Sequence, residues 1–302
     1  MDPGTDTAVV IDAVRSPMGK GKPGGALSGL HPVDLLAQTV AALIARTGVD
    51  PGRVDDVVTG CVSQAGEQSG NVGRMAWLAA GFPEHVPAVT VERKCGSSQQ
   101  AVHFAAQGII AGAYDVVVVA GVESMSRVPM GVARLDADPY GPSVTQRYTP
   151  GLVSQGVAAE LVAARWKLSR EQLDEYAARS HARAAAAADS GGFDGEIVPI
   201  TLPDGARVDA DESIRRGTTA EKLAGLKAAF ANDADARRFP EITWSVTAGN
   251  SSQITDGASA MLLTSARVAD ELGLAPRARL RGFAVCGDDP LTMLTAPIPA
   301  TK

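Results

Sequence analysis

The sequence predicts an α/β protein in which short buried strands alternate with helices. Short apolar runs rich in β-branched residues are followed by segments with helical periodicity, which is the pattern of an α/β sheet. The run from Val116 to Ala120 is continuously apolar, as expected for a central strand covered on both faces. With 302 residues, 45% hydrophobic and 21% charged, the chain has globular composition and is long enough for one large or two modest domains.

The strands and helices follow from these patterns in chain order. Strands are predicted at residues 8–13, 54–61, 88–91, 116–120, 260–264 and 279–285, and helices between them at 32–47, 71–80, 97–112 and 152–166. A further helix is predicted at 170–189, because Ser169 is a favourable N-cap and Gln172 can close a capping box with it. Gly191 and Gly192 then end that helix.

The rhythm of strands is interrupted in the middle of the chain. From about residue 124 to 243 proline, arginine and long polar stretches replace it, and it resumes at Ser245. We therefore expect a half-domain formed by residues 1–123 and 244–270, with a lid-like insertion at 124–243. Residues 271–302 then read as the start of a second half-domain, whose strand at 279–285 has no evident partner.

Charge, hydropathy and cysteine spacing exclude several classes of protein. The net charge of −6 argues against sequence-independent binding of nucleic acid. No run of 18 apolar residues predicts a membrane span, and residues 1–7 lack the features of a signal or transit peptide. The three cysteines are widely spaced, which predicts neither a disulfide framework nor a metal site and suits the reducing cytoplasm.

Cys95 is the candidate nucleophile of the chain. It lies between the predicted strand 88–91 and the predicted helix 97–112, where unpaired N–H groups and the helix dipole favour a thiolate. Arg93 and Lys94 add positive charge, and the small residues after the cysteine let a substrate carbonyl approach the backbone. The alternative is a small, inert core residue, since free cysteines are usually buried. For Cys61 and Cys286, each at the end of an apolar run, we expect that second role.

The sequence shows no evident base for this nucleophile. His103 lies eight residues further along the same predicted helix, which at 1.5 Å per residue places it about 12 Å away. For His31, His85 and His181 as well, a surface or packing role is expected.

Several motifs in a fixed order resemble those of the thiolase family, and the resemblance covers essentially the whole chain. The stretch around Cys95 resembles the acylated-cysteine motif of thiolases. Gly121-Val-Glu-Ser-Met-Ser matches the Gly-x-Glu-x-Met-Ser signature, and Val246-Thr-Ala-Gly-Asn-Ser-Ser resembles the return to the core. The other matching segments are residues 15–19, 60–71, 195–199 and 211–215.

This resemblance implies a thiolase-type layered αβαβα fold and an acyltransferase that cleaves 3-ketoacyl-CoA with coenzyme A (CoA), or runs the reverse condensation. Cys95 would carry the acyl group as a thioester. Arg215 would meet the phosphate or adenine region of CoA, Ser252 the pantetheine arm, and Ala248 and Gly249 are taken as further contacts. CoA is then a substrate, no permanently bound cofactor or metal is expected, and a homodimer or homotetramer is implied.

The sequence also departs from the family pattern. Ser154-Gln155 stands where short-chain members have a His-Met pair, and residues 67–69 and 77–86 look more like thiolases acting on bulky or steroid-derived substrates. The family's Asn-Glu-Ala-Phe, Gly-His-Pro and Cys-x-Gly segments do not occur before Lys302. We therefore expect a C-terminally truncated member with impaired thiolysis.

Two other interpretations stay open. One is a non-catalytic CoA-binding or assembly subunit whose base comes from a partner chain. The other, a ketosynthase relative, is disfavoured by the long insertion and by the Val246-Thr-Ala-Gly-Asn segment.

Overall fold

The computed structural model describes residues 7–302, so six of the seven N-terminal residues considered for targeting lie outside it. The strands are β1 (Ala8–Arg15), β2 (Gly19–Lys20), β3 (Asp56–Gly60), β4 (Ala88–Val91), β5 (Val116–Ser124), β6 (Ile200–Thr201), β7 (Arg207–Val208), β8 (Thr255–Ser265) and β9 (Ala278–Arg279). The helices are α1 (Pro32–Thr47), α2 (Val72–Ala79), α3 (Ser97–Ile110), α4 (Gly141–Arg147), α5 (Gln155–Arg165), α6 (Arg170–Asp189), α7 (Ala220–Ala224), α8 (Asp233–Arg238), α9 (Ala266–Glu271) and α10 (Pro297–Thr301).

The chain divides into two compact units. The first comprises the chain up to Leu135 together with Phe193–Ser213 and Ile254–Gly282. The second comprises Asp136–Gly192, Ile214–Gln253 and Phe283–Lys302. This division into units does not test the domain boundaries expected from the sequence, and those boundaries stay a prediction.

The first unit is built on a mixed sheet. Its strand order is β4-β3-β5-β8-β1-β9, with β2 paired to β8. β3 runs parallel to β4 and β5, whereas β8 is antiparallel to both β5 and β1. β5 is buried along almost its whole length, which confirms the central strand that its continuous apolar run predicts. The mixed α/β class predicted from the sequence is therefore confirmed.

Helices α1 and α6 begin and end where the sequence predicts. His31 accepts a hydrogen bond from Val33 N–H at the start of α1, and Gly48 ends it in the left-handed conformation. Ser169 and Gln172 form the predicted capping box of α6. In both helices the boundary is decided by groups within a few residues of it, which is why the sequence locates it well.

The predicted strand at 279–285 is wrong. Only Ala278 and Arg279 form a strand, and they pair with Val10 and Val9 of β1. This short strand therefore has a partner, contrary to expectation. The pairing ends with the hydrogen bond from Leu280 N–H to the Ala8 carbonyl. The short sheet of β6 and β7, inside the segment expected to lack strands, was also not predicted.

Candidate active site

Cys95 lies in a tight turn between β4 and α3. Lys94, just before it, has φ of +47°, a left-handed conformation that costs a residue with a side chain about 1 kcal/mol. Gly96 N–H donates to the Arg93 carbonyl at 3.0 Å and Ser97 N–H to the Lys94 carbonyl at 3.0 Å. These bonds close the turn and fix Cys95 at its apex.

Ser97 clamps this turn from the helix side. Its hydroxyl accepts a hydrogen bond from Arg93 N–H at 2.9 Å and donates to the Lys94 carbonyl at 2.6 Å. Because Ser97 is buried, both bonds are shielded from water. The small residues after the cysteine therefore also have a structural role, which the sequence pattern did not reveal.

Two glycines let the first turn of α3 lie directly on the sheet. A Cβ atom added to Gly60 of β3 would come within 2.6 Å of the Ser98 Cα atom. A Cβ added to Gly121 of β5 would lie 2.7 Å from the Ser98 hydroxyl. Only residues without a side chain allow this approach, so β3 and β5 determine where the N-terminus of α3, and with it Cys95, can be.

The charges around Cys95 are partly balanced. Glu92 accepts hydrogen bonds from Lys94 N–H at 2.7 Å and from its ammonium at 3.2 Å, and the backbone hydrogen bond is the main reason that the pKa of Glu92 is lowered. Cys95 itself is exposed, as are Arg93 and Lys94. The predicted accessible thiol at a helix N-terminus is therefore present, and its catalytic role stays a prediction.

The other two cysteines differ from each other. Cys61 is buried in the core, as predicted, and burial, followed by the charge of Glu123, raises the pKa of its thiol to about 12. Cys286 was also predicted to be a core residue, and that is wrong, because it is exposed and follows no strand. The strand that would have buried it stops after Arg279, so the apolar residues before it have no sheet to pack in.

The histidines take structural positions. His31 caps α1, and His103 lies buried on α3 eight residues beyond Cys95, about 12 Å along the helix. His85 bonds to the Gly52 carbonyl through Nε2 at 3.1 Å, and His181 Nδ1 accepts a hydrogen bond from Arg215 N–H at 3.3 Å.

The four candidate CoA contacts all lie in the second unit. Arg215 is exposed, five residues before α7 begins, and its carbonyl accepts a hydrogen bond from the Thr218 hydroxyl at 2.7 Å. Ala248 is exposed and Gly249 buried in one turn, and the exposed Ser252 follows just beyond it. The structure therefore brings Ala248, Gly249 and Ser252 close together along the chain and leaves the side chains of Arg215 and Ser252 accessible.

Buried carboxylates that the sequence reading missed hold this turn. Glu160 of α5 exposes 1% of its surface and accepts hydrogen bonds from Ser245 N–H at 2.9 Å and Val246 N–H at 2.7 Å. Asp174 of α6 also exposes 1% and accepts one from Asn250 Nδ2 at 2.9 Å. For Glu160 the signal was an acid inside an apolar helical run, which marks a buried, satisfied group, whereas Asp174 lies among charged and polar residues and gives no such signal.

A network of hydrogen bonds around Glu123 joins two motifs of the first unit. Glu123, from the Gly-x-Glu signature, accepts hydrogen bonds from Val62 N–H at 2.9 Å and from Gln68 Nε2 at 2.9 Å. Gln68 in turn accepts one from Ser124 N–H at 2.8 Å. The signature glutamate is thus a connector between the segment after β3 and the end of β5.

The motif at residues 211–215 has two different roles. Asp211 binds the Arg15 guanidinium with two hydrogen bonds of 2.8 and 3.0 Å and accepts Met18 N–H at 2.8 Å. Glu212 accepts Ala26 N–H at 2.8 Å. The acidic half of this motif therefore anchors the N-terminal segment, whereas Arg215 belongs to the second unit.

No metal or membrane feature is found in the described part of the chain. Residues 7–302 contain no group of three or more histidine, cysteine or acidic side chains arranged to hold a metal ion. Within the same residues no helix combines the length and the apolar character needed to cross a membrane.

Comparison with known proteins decides the family. The thiolase N-terminal domain model matches residues 8–267. The chain belongs to the thiolase family. Its membership makes it an acyltransferase with the mixed α/β thiolase fold, as the motifs predict, and thiolases act on CoA thioesters.

The matches to individual relatives span almost the whole length of this thiolase. It is 45% identical over 304 residues to the steroid 3-ketoacyl-CoA thiolase FadA6 of Mycobacterium tuberculosis, a match that covers 98% of this chain and 71% of that protein. The 3-ketoacyl-CoA thiolase of Serratia proteamaculans is 43% identical, with 98% and 74% covered. The crystal structure of the Bacillus anthracis acetyl-CoA acetyltransferase superposes with a TM-score of 0.83 at 38% identity, covering 98% of this chain and 75% of that one.

Proposed function

We propose that Cys95 is the acyl acceptor in the CoA-dependent cleavage of a 3-ketoacyl-CoA. The Cys95 thiolate attacks the C3 carbonyl, the C2–C3 bond breaks, and the C2 carbanion takes a proton and leaves as acetyl-CoA. A second CoA then gives up its thiol proton, which balances the one taken by the carbanion, and its sulfur attacks the Cys95 thioester. The C–S bond to Cys95 breaks, which releases an acyl-CoA two carbons shorter and returns the thiolate. In the reverse direction the same steps form the carbon–carbon bond.

The accessible position of Cys95 at the start of α3 supports this proposal most strongly. The N–H groups of Gly96 and Ser97 already donate to the Arg93 and Lys94 carbonyls and close the turn. The dipole of α3 would favour both a thiolate and the oxyanion formed on a bound carbonyl. Cys61, the other cysteine of the first unit, is buried and holds its proton. The carbonyl oxygen would accept hydrogen bonds from Cys95 N–H and from a glycine N–H elsewhere.

The CoA substrate is proposed to bind to the second unit. Arg215 would pair with a phosphate, for which a guanidinium offers several N–H donors in a fixed geometry. Ser252, Ala248 and Gly249 would contact the pantetheine arm. In support, the Arg215 and Ser252 side chains are exposed, and the turn that carries the other two is held by buried carboxylates.

We further propose a bulky acyl group, such as a steroid-derived one, for the substrate. The similarity to the Mycobacterium tuberculosis steroid thiolase supports this class. Ser154, which stands where short-chain members have a histidine, caps α5 by accepting a hydrogen bond from Val157 N–H at 3.3 Å. Thiolysis rates with short-chain and bulky 3-ketoacyl-CoA substrates would compare the two classes directly, and a preference for acetoacetyl-CoA would contradict this assignment.

Labelling with bromoacetyl-CoA tests the nucleophile. We expect mass spectrometry of the intact chain to show one adduct, located on Cys95 and suppressed by excess CoA. Cys286→Ser is the matched control, because it removes the other exposed thiol and should leave the labelling unchanged. An adduct on Cys286, or one that CoA does not suppress, would contradict the proposal.

A turnover assay completes this test. If the chain catalyses thiolysis, Cys95→Ser should lower its rate by about a thousandfold or more, the usual result of removing a nucleophile. CoA binding without labelling or turnover would instead favour the non-catalytic CoA-binding subunit.

A homodimer or homotetramer in the cytoplasm completes the proposal. β4, the strand that leads to Cys95, lies at one edge of the sheet, and edge strands offer unpaired backbone groups to another chain. Light scattering coupled to size-exclusion chromatography would report the mass, and a monomer at micromolar concentration would contradict self-association.

A further inference from the structure

The ion pair of Asp174 and Arg170 in the second unit lies where two candidate CoA-binding segments meet. Asp174 exposes 1% of its surface, and each of its carboxylate oxygens has its own partner. Oδ2 accepts a hydrogen bond from Arg170 Nε at 2.7 Å, one helical turn away on α6. Oδ1 accepts one from Asn250 Nδ2 at 2.9 Å. A single buried carboxylate therefore connects Arg170 of the same helix with Asn250.

On one side this connection leads to the segment that carries Arg215. The Arg170 guanidinium donates through Nη2 to the Leu223 carbonyl at 2.6 Å and the Leu226 carbonyl at 3.0 Å, with Ala224 at 3.3 Å. These carbonyls belong to the last turn of α7 and the residues after it, and the Leu223 carbonyl also accepts Leu226 N–H at 2.9 Å. The start of α7 is only five residues beyond Arg215, so Arg170 fixes the far end of the short segment that holds Arg215.

On the other side the connection leads to the turn that carries Ala248 and Gly249. Asn250 Nδ2 also donates to the Ser245 carbonyl at 3.1 Å, and Asn250 Oδ1 accepts Thr247 N–H at 2.7 Å. The amide side chain therefore closes the turn from inside while Asp174 holds the amide. Any shift of Asp174 would be transmitted to the backbone around Ala248.

The two segments are in direct contact where the ion pair spans them. A Cβ atom added to Gly249 would come within 2.6 Å of the Leu223 side chain and 2.5 Å of the Leu226 side chain. Ala229 N–H donates to the Val246 carbonyl at 2.9 Å, which adds a backbone link beside this contact. The turn and the α7 segment thus pack closely, and their register depends on the polar groups behind them.

We infer that Asp174 and Arg170 are positioning residues that hold the Arg215 segment and the Ala248–Gly249 turn in register for one CoA molecule. The inference rests on the proposed CoA-binding function. CoA is a long, flexible ligand, so two contact segments act together only if their separation is fixed before binding. Buried ion pairs add little net stability compared with apolar residues, which agrees with a role in positioning.

Calorimetric titration of the whole chain with CoA and with pantetheine tests this inference. Pantetheine lacks the phosphates and the adenosine, so it probes the turn alone. In Arg170→Lys, Asp174 keeps a cationic neighbour, but the bonds to three carbonyls of the α7 segment are lost. We expect CoA to bind about tenfold more weakly, equivalent to about 1.4 kcal/mol, with pantetheine binding unchanged. Arg183→Lys, on an exposed site of the same helix, is the matched control.

Asp174→Asn provides a second variant, with the exposed neighbour Glu175→Gln as its control. It loses the charge that orients both partners, so both CoA and pantetheine should bind more weakly. If Arg170→Lys only lowered the folded fraction, its affinities for CoA and for pantetheine would fall by the same factor. Such a proportional change, no change in either affinity of that variant, or an unaltered Asp174→Asn would overturn the inference. If the wild-type chain binds neither ligand, the proposed function itself fails.

Discussion

Several carboxylates of this thiolase are buried or half-buried and join segments that lie far apart in the sequence. Glu123, Glu160 and Asp211 accept hydrogen bonds from distant backbone N–H groups, whereas Asp174 accepts one from the side chain of Asn250. A carboxylate is suited to this position because it is an acceptor at several sites at once, and charge-assisted bonds are stronger than neutral ones. The residues that make the family motifs recognisable therefore include connectors as well as groups proposed to touch the substrate.

Asp256 is an exception among these buried acids. It is fully buried at the start of β8, and only its Oδ1 atom accepts a backbone hydrogen bond, from Ser126 N–H at 2.9 Å. Oδ2 has no hydrogen-bond partner among residues 7–302. Burial therefore raises the pKa of Asp256 more than the bonds from Ser126 lower it. An acid with a raised pKa in the folded state destabilises the fold increasingly as the pH rises through that pKa.

Asp256→Asn should therefore stabilise the protein in a pH-dependent way. The amide keeps the acceptor for Ser126 N–H and removes the buried charge. We expect the free energy of unfolding in urea to exceed that of the wild type at neutral pH, with the difference shrinking toward about pH 3, where an aspartate is protonated in either state. Asp194→Asn, at an exposed site, is the control. Equal differences at both pH values would show that the charge of Asp256 is not responsible.

At the scale of elements, the sequence predicted the bounds of helices with clear capping residues well and the bounds of strands poorly. The bounds of α1 and α6 follow from caps within the same few residues, so the sequence contains all the information that decides them. The extent of a strand depends on its neighbours. β8 extends to Thr255 because β5 and β2 pair with it, whereas the apolar residues after Arg279 find no neighbour and form no strand. Periodicity alone does not report such partners.

The approach of α3 to the sheet is the element-scale feature on which the Cys95 turn depends. Gly60→Ala would place a methyl group within 2.6 Å of the Ser98 Cα atom, so the helix must move away from β3. Overpacking of this kind costs about 1–3 kcal/mol. We expect a lower urea midpoint together with a changed alkylation rate of Cys95. Gly29→Ala, where an added Cβ meets no atom within 4 Å, should change neither. An unaltered midpoint for Gly60→Ala would contradict this packing.

Over the whole molecule, the sequence indicated candidate residues for the chemistry but not the groups that hold them in place. Cys95, Arg215 and Ser252 are candidates because their neighbours form recognisable motifs. The Glu160 and Asp174 connections were not, because each joins a helix to a turn about 75 to 85 positions away along the chain, and the sequence gives no distance between them. Such pairs become visible only when the fold brings them together. The burial expected for Cys286 was wrong for a related reason, because it depended on a strand that does not form.

The three thiols together report on the folding of the whole chain. Cys95 and Cys286 are exposed, one in each unit, whereas Cys61 is buried with its pKa raised to about 12. An exposed thiol is accessible to a disulfide reagent, whereas Cys61 is enclosed by the core and holds its proton. We therefore expect a disulfide reagent such as Ellman's to titrate two thiols rapidly in the native protein and the third only after unfolding.

Single variants assign these phases. Cys95→Ser and Cys286→Ser should each remove one rapid thiol and leave the slow one, whereas Cys61→Ser should remove the slow one. Cys61 must be exposed before it reacts, so its observed rate equals the rate of an exposed thiol multiplied by the equilibrium constant for opening. The ratio of these two rates therefore gives the free energy of exposing the core of the first unit. The observed rate should increase in proportion to the unfolded fraction as urea is added. A third rapid thiol in the native protein would show that Cys61 is not enclosed by this core, and its high pKa would then have no physical cause.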